Sequence, residues 1–241
     1  MAIKNRQKQP IQSFLKMKYQ ELGNNPSLYR NPAWSHLNLK PLPMYRDEER
    51  HQYCWEPTGE WLAFSTTQIA SQKSPEALAN IERYRHIWQP RGEKVHWCLQ
   101  QRMLGEKNPD PGDYEEWTKP LLENEYWLNF EPLAVEYMLA DLEKSVGGQF
   151  DLLGYDHTLQ KLVLIDLKTQ SKKNARPYST DAQLGSYVDA LANHHGIVVD
   201  SCRTVWARPG KCVFGEEQDP LTCRLKWKEA WEAFEEKVEV F

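Results

Sequence analysis

Asp166 and Lys168 stand two residues apart at the end of an apolar run that begins at Lys161. The run, Lys161 to Thr169, has strand length, and alternation along a strand puts both side chains on one face. An acid and a base at the end of a buried strand are costly unless they are paired, bound to a metal or set at a cleft. The preceding segment, Gly148 to Gly154, brings a further carboxylate, Asp151. The turn Gly154-Tyr155-Asp156-His157-Thr158 predicts an antiparallel hairpin that sets Asp151 beside Asp166. Two carboxylates and a main-chain carbonyl make an oxygen-rich partial shell of the kind Mg²⁺ prefers. A lysine beside such an ion could hold or deprotonate a water and offset charge developing on phosphorus, which is the equipment of phosphodiester hydrolysis. A structural ion pair at a strand end also accounts for Asp166 and Lys168 taken alone, so the neighbouring elements have to decide.

Those elements are legible in outline. Residues 1–60 are rich in Pro, Asn and aromatics and have poor periodicity; they read as an irregular extension with one short helix near Ile11 to Leu22. Trp61 to Ile69 reads as strand or turn. Ser74-Pro75-Glu76 is a helix start, with Ser74 as N-cap and Pro75 at the first helical position. A second helix is expected to open near Arg91-Gly92 and run through Val95, His96, Leu99 and Met103 at helical spacing. Residues 105–120, rich in Pro, Gly and Asp, read as a loop. Strands are predicted at Leu133 to Ala140, Gly148 to Gly154 and Lys161 to Thr169. A helix follows over Thr180 to Asn193, then strands near Arg203 to Trp206 and Lys211 to Phe214. The last element is an amphipathic helix from Cys223 to Val238 with Trp227, Trp231, Phe234 and Val238 on one face. This order predicts a mixed α/β (α+β) domain: a central mixed sheet containing an antiparallel three-strand meander, flanked by helices. The expected division is an extension at 1–60 and a domain at 61–241, the latter with a helical part at 74–104 and a core at 130–241.

Several of these segments together resemble a known family. Gly148-Gln149-Phe150-Asp151, then Ile165-Asp166-Leu167-Lys168-Thr169, then Gln183-Leu184-Gly185-Ser186-Tyr187 are similar to the ordered G-x-x-D, (D/E)-x-K and Q-x-x-x-Y series of RecB-type PD-(D/E)XK nucleases. Upstream, Arg91-Gly92-Glu93-Lys94-Val95-His96 is similar to the R-G-x-x-x-H helix of that branch. The resemblance covers residues 91–187 and leaves 1–60 outside. It implies a restriction-endonuclease-like core, catalysis with Mg²⁺ or Mn²⁺, and a DNA substrate. Residue by residue it implies Asp151 and Asp166 as metal ligands, Leu167 giving a main-chain carbonyl, and Lys168 as the catalytic lysine. His96 would be a further ligand or a phosphate contact, though a lone helical histidine is more often a core or surface residue. Glu136 would be an extra ligand or a support behind the ligands.

Gln183 and Tyr187, four apart, point from the same side of one helix. Gln183 would orient the lysine or a phosphate, and Tyr187 would touch the DNA backbone or simply pack on the sheet. Thr169, Arg91 and the basic run Lys172-Lys173-Asn174-Ala175-Arg176 would engage phosphates at the mouth of the site. Ser65-Thr66-Thr67 resembles a hydroxyl-rich segment that binds phosphate or caps a helix. Several RecB-type nucleases hold an iron–sulfur cluster on one upstream cysteine and a tight C-terminal triplet. Cys202, Cys212 and Cys223 are spread too evenly for that, so no cluster is expected, and the chain falls nearer the cluster-free branch that includes the mitochondrial genome-maintenance exonuclease and phage-type relatives.

Composition narrows less. The 241 residues carry 30 Lys and Arg against 34 Asp and Glu, a formal charge of −4, so the whole is not the basic body of a nonspecific duplex binder. A local basic track would serve instead. Ten Trp and eleven Tyr supply core area by default, and some could stack on unpaired bases. Five irregularly spaced cysteines without a C-x-x-C pair fit reduced thiols in an intracellular, most simply cytoplasmic, protein. Met1 to Gln20 holds five cations and no acid; an organelle transit peptide is one reading, but Lys dominates over Arg and Ser is scarce, so it reads rather as a solvated or DNA-contacting arm. No apolar run approaches the roughly 20 residues needed to span a bilayer. The resemblance to RecB-type nucleases implies a metal-dependent DNA exonuclease acting on single strands or free ends. The alternatives are a structure-selective or restriction-type endonuclease, and a non-catalytic nucleic-acid-binding module on a nuclease fold.

Overall fold

The computed structural model describes residues 28–29, 39–47, 50 and 52–238; the helix expected near Ile11 to Leu22 lies outside them. A small antiparallel sheet comes first, from β1 (Leu28–Tyr29), β2 (Met44–Asp47), β3 (Gln52–Trp55) and β4 (Glu60–Trp61), in that order. Met44, Tyr53 and Leu62 pack with Met138 and Ala140, so this sheet covers one end of the main one. Its strands have two to four residues, too short for a readable hydrophobic period.

The main sheet is mixed. Its elements are β5 (Phe64–Ser65), β6 (Phe130–Asp141), β7 (Val146–Asp156), β8 (Lys161–Thr169), β9 (Ser201–Arg208) and β10 (Lys211–Phe214). β6, β7 and β8 form the expected antiparallel meander. β9 lies parallel to β8 and is reached through α5 (Asp181–His195). β10 pairs antiparallel with β9, and β5 runs parallel to the start of β7.

Both faces of this sheet are covered, which is why β8 is apolar on both sides. Val163, Ile165 and Leu167 pack against Val95, Leu99 and Met103 of α3 (Arg85–Met103) and Leu121 of α4 (Glu115–Leu122). Leu162 and Leu164 meet Leu184, Val188 and Leu191 of α5 and Cys223 of α6 (Pro220–Val238). Each such aliphatic side chain contributes about 1.5–3 kcal/mol when fully buried. The two covering helices touch closely: a Cβ on Gly185 of α5 would lie 2.0 Å from the Cys223 carbonyl oxygen of α6.

Two helix boundaries differ from expectation, and proline is the reason in both. The helix expected from Arg91 begins at Arg85 and carries Pro90 inside it. The loop expected over 105–120 contains the start of α4, which carries Pro120. Proline removes one backbone donor and biases the reading towards a break, but α3 and α4 each bury an apolar face that outweighs the loss. α1 (Thr66–Ser71) likewise occupies part of the stretch expected as strand or turn. The predicted cap does form: α2 (Pro75–Arg83) starts with the Ser74 side chain accepting from the Ala77 N–H.

Candidate active site

The site lies where two paired strands part. β7 and β8 pair from Asp156↔Lys161 to Leu152↔Ile165. Beyond that point Gly148 to Phe150 pair only with β6, and Asp166 to Thr169 only with β9. The fork leaves backbone groups without ladder partners and admits side chains between the strands. Asp151 sits at the fork: its Oδ2 accepts the Leu167 N–H at 2.5 Å. Its Oδ1 meets His96 Nδ1 of α3 at 2.9 Å.

Glu136 enters from β6 through an irregular backbone. It has φ +48, a left-handed conformation that costs a residue with a Cβ about 1–2 kcal/mol. Val135, its neighbour, packs in the cluster that contains α3, yet Glu136 Oε1 also approaches His96 on α3, at 3.6 Å. Regular alternation would send the two to opposite faces. The Gln149 side chain donates to Glu136 Oε2. His96, Glu136 and Asp151 thus offer ligand atoms within 4.8 Å of one another.

Asp166 and Lys168 share a face as their spacing requires, with Lys168 Nζ 2.8 Å from Asp166 Oδ2 and 2.9 Å from Oδ1. Asp166 is 1% exposed. Burial pushes its carboxyl up to about 6, and the pull of Lys168 only partly offsets this. Lys168 is held above its ordinary value despite burial, because Asp166 and Asp151 face it. Burial also works against a charged His96, but Asp151 and then Glu136 outweigh it and lift the imidazole to about 10. The same imidazolium, with Lys168 behind it, keeps Asp151 below the usual carboxylate range against the effect of burial. Two carboxylates and an imidazole that would otherwise keep a proton form a donor set suited to a divalent cation, which takes the place of that proton.

The other sequence-selected residues divide into two groups. Gln183 and Tyr187 are buried behind the fork, with Gln183 Nε2 donating to the Tyr187 hydroxyl at 3.0 Å. Thr66 is buried too and shares a hydrogen bond with Ser186 at 3.2 Å, and Ser65 accepts the Gln68 N–H as the N-cap of α1. Gly148 lets these elements meet, since a Cβ there would come within 2.4 Å of Thr66 Oγ1 and 2.7 Å of Tyr187 Cε1. Thr66 and Tyr187 are therefore internal packing groups, out of reach of a strand on the surface. Around the end of β8 lie half-buried Thr169 and exposed Lys172, Lys173 and Arg176. Arg91 is nearly buried, with its guanidinium 5.5 Å from the Trp117 ring centre. Tyr178 was not singled out by sequence reasoning, yet it lies near enough to Lys168 and Asp166 to feel both charges. A lone tyrosine in a Pro- and Ser-containing stretch offers no signal that could have found it.

Residues 113–221 match the family model of the PD-(D/E)XK nuclease superfamily, which supports that superfamily and, with it, a nuclease. The matched stretch holds Glu136, Asp151, Asp166, Lys168, Gln183 and Tyr187. Nucleases of this class use divalent metals, in keeping with the grouping of His96, Glu136 and Asp151. Among solved structures, one described as "Crystal structure of SSO0001" is 13% identical, with a TM-score of 0.38 over 70% of this chain and 75% of that one. No curated protein matches the chain. Among the described residues, no helix is long and apolar enough to cross a membrane.

Proposed function

We propose that the protein is a Mg²⁺- or Mn²⁺-dependent deoxyribonuclease that hydrolyses single-stranded DNA from free ends. The observation that carries this reading is the convergence of the His96–Glu136–Asp151 group and the Asp166–Lys168 pair on one fork between β7 and β8. His96, Glu136 and Asp151 would hold the ion, with Asp166 and the Leu167 carbonyl as further ligands. The bound ion supplies Lewis acidity towards a phosphodiester and lowers the pKa of water.

The chain's own groups do the rest. Lys168, kept protonated by Asp166 and Asp151, places a positive charge where negative charge develops on the phosphoryl oxygens. Asp166 fixes the direction of that ammonium group. Asp151 bridges the two sides of the fork through Leu167 and so ties the ligand group to the lysine strand. Gln183 and Tyr187 support this arrangement from the α5 layer. Lys172, Lys173 and Arg176 supply local positive charge for phosphates flanking the cut, which reconciles a DNA substrate with a net charge of −4. Preference for an unpaired strand is supported by Leu78, Tyr84 and Ile87. Each is about half exposed along α2 and the start of α3, where bases can stack or lie.

The test is degradation of end-labelled linear single-stranded DNA beside a covalently closed single-stranded circle, in Mg²⁺, Mn²⁺ or EDTA, by wild type and Lys168→Ala. Metal-dependent loss of the linear strand alone, absent in the variant, is the expected result. Cutting of the circle would make the protein an endonuclease. Tight binding without cutting of either would make it a non-catalytic module.

A further inference from the structure

One strand over from Lys168 lies a small recess that the catalytic reading does not use. The parallel ladder sets Asp166 opposite Thr204 and Lys168 opposite Trp206. Paired residues of neighbouring strands share a face, so Thr204 and Trp206 flank the acid and the lysine directly. They line a recess of about 180 Å³ together with Tyr178, Asp181, Gly215 and Glu216. Tyr178 joins the recess to the site: it is 50% exposed, and its hydroxyl feels the charges of Lys168 and Asp166.

The chemistry of the lining selects its occupant. Among the described residues, no lysine or arginine lines the recess, and Asp181 and Glu216 do, so a phosphate is disfavoured there. The edge of the Trp206 indole beside Gly215 is its apolar benzo edge, since a Cβ on Gly215 would lie 3.0 Å from Trp206 Cζ3 and 3.1 Å from Cη2. The volume falls below the roughly 300–1,000 Å³ of pockets that take drug-sized molecules, so one small planar ring system is the fitting scale. An uncharged planar ring carrying N–H groups would answer the carboxylates of Asp181 and Glu216, the apolar edge of Trp206 and the tyrosine face at once.

We propose that this recess receives an unstacked nucleobase adjoining the phosphodiester that lies at Lys168, with Tyr178 as its stacking partner. The proposal rests on the nuclease reading above and deepens it, because a base drawn into the recess would set which phosphate faces the lysine and would require an unpaired strand. Base–aromatic stacking is tolerant of sequence, so the expected preference is for the presence of a base more than for its identity.

The test uses the full-length protein and a set of single-stranded DNA oligonucleotides, each with one abasic residue stepped through the first nucleotides at the attacked end. Single-turnover rates would be measured for wild type, Tyr178→Ala and Tyr178→Phe. Wild type should lose about tenfold in single-turnover rate at one abasic position next to the cut bond. Tyr178→Ala should lose a similar factor on intact DNA and nothing more on that abasic oligonucleotide, while Tyr178→Phe keeps the wild-type rate on intact DNA. Rates indifferent to the abasic position, or a Tyr178→Ala loss of equal size on every oligonucleotide, would overturn the recess while leaving the nuclease reading intact. No cutting of intact DNA by wild type in either metal would remove the nuclease reading and this proposal with it.

Discussion

The backbone N–H of Leu167 donates to Asp151 Oδ2 across the fork between β7 and β8, at 2.5 Å. A side chain thus replaces the ladder partner that the parted strands cannot supply, and it does so with the carboxylate that also meets His96. Structure and site are coupled through one residue, and substitutions can separate them. Asp151→Ala leaves the Leu167 N–H without its acceptor, a loss of about 1–3 kcal/mol. Asp151→Asn keeps an acceptor oxygen but gives up the negative charge. Both variants give up the charge that faces His96 and Lys168, so denaturant unfolding should place both below wild type, with Asn above Ala by the worth of the Leu167 bond. Cleavage should fall by about 100-fold or more in both. Equal stability of the two variants would show that the Leu167 bond carries no weight.

Lys168 is the cation nearest a carboxyl group that is almost fully buried. Lys168→Ala leaves Asp166 buried without its partner. Breaking a buried pair in this way costs about 3–5 kcal/mol, and the lower end applies because Lys168 is partly exposed. Asp166 is already lifted to about 6 with Lys168 in place, and it rises further without it. The unfolded carboxyl titrates lower, so the penalty grows as pH rises through the folded value and fades towards acid pH. Unfolding of wild type and variant at pH 5 and pH 8 checks this: the gap should be wider at pH 8. A gap independent of pH would mean that Asp166 does not respond to the lysine.

How far the sequence reaches is visible in these same residues. β8 was readable at both ends because a continuous apolar run is closed by a turn on one side and by Asp166 and Lys168 on the other. The hairpin with β7 followed from its turn, and with it the nearness of Asp151. His96 and Glu136 were reached only through the family resemblance. The contact of Glu136 with His96 depends on a left-handed residue within a strand, which no alternation pattern encodes. The neighbourhood of Lys168 and Trp206 depends on β9 lying parallel to β8 after a helical crossover, a long-range pairing that local pattern does not specify. Prolines 90 and 120 misplaced two helix boundaries because a local break signal was outweighed by tertiary burial.

The His96 imidazole should release a proton when metal binds. Asp151 and Glu136 lift it from 6.5 to about 10 in the metal-free protein. Its folded value lies above the unfolded one, so its stabilising contribution is complete below about pH 6.5 and is lost as pH rises through about 10. A ligating imidazole must be neutral. At pH 8 the ion therefore displaces this proton, and affinity should rise with pH from 6 towards 10. Calorimetric titration with Mn²⁺ at pH 8 in two buffers of different ionisation enthalpy should report release of about one proton, and His96→Gln should report none. Proton release unchanged in the variant would remove His96 from the ion's surroundings.

Glu136 tests whether backbone strain is kept for the site. Its φ of +48 is a conformation glycine adopts freely and glutamate does not. Glu136→Gly relieves about 1–2 kcal/mol of backbone cost, against some loss of chain stiffness and of the contacts to Gln149 and the charged His96. The variant should unfold at a denaturant concentration equal to or above that of wild type, while Mn²⁺ affinity falls by at least about tenfold. That combination would mark Glu136 as held in place for the ion at the expense of the fold. A less stable variant with unchanged Mn²⁺ affinity would instead make Glu136 a structural residue, and would leave His96 and Asp151 to be completed by Asp166 and the Leu167 carbonyl.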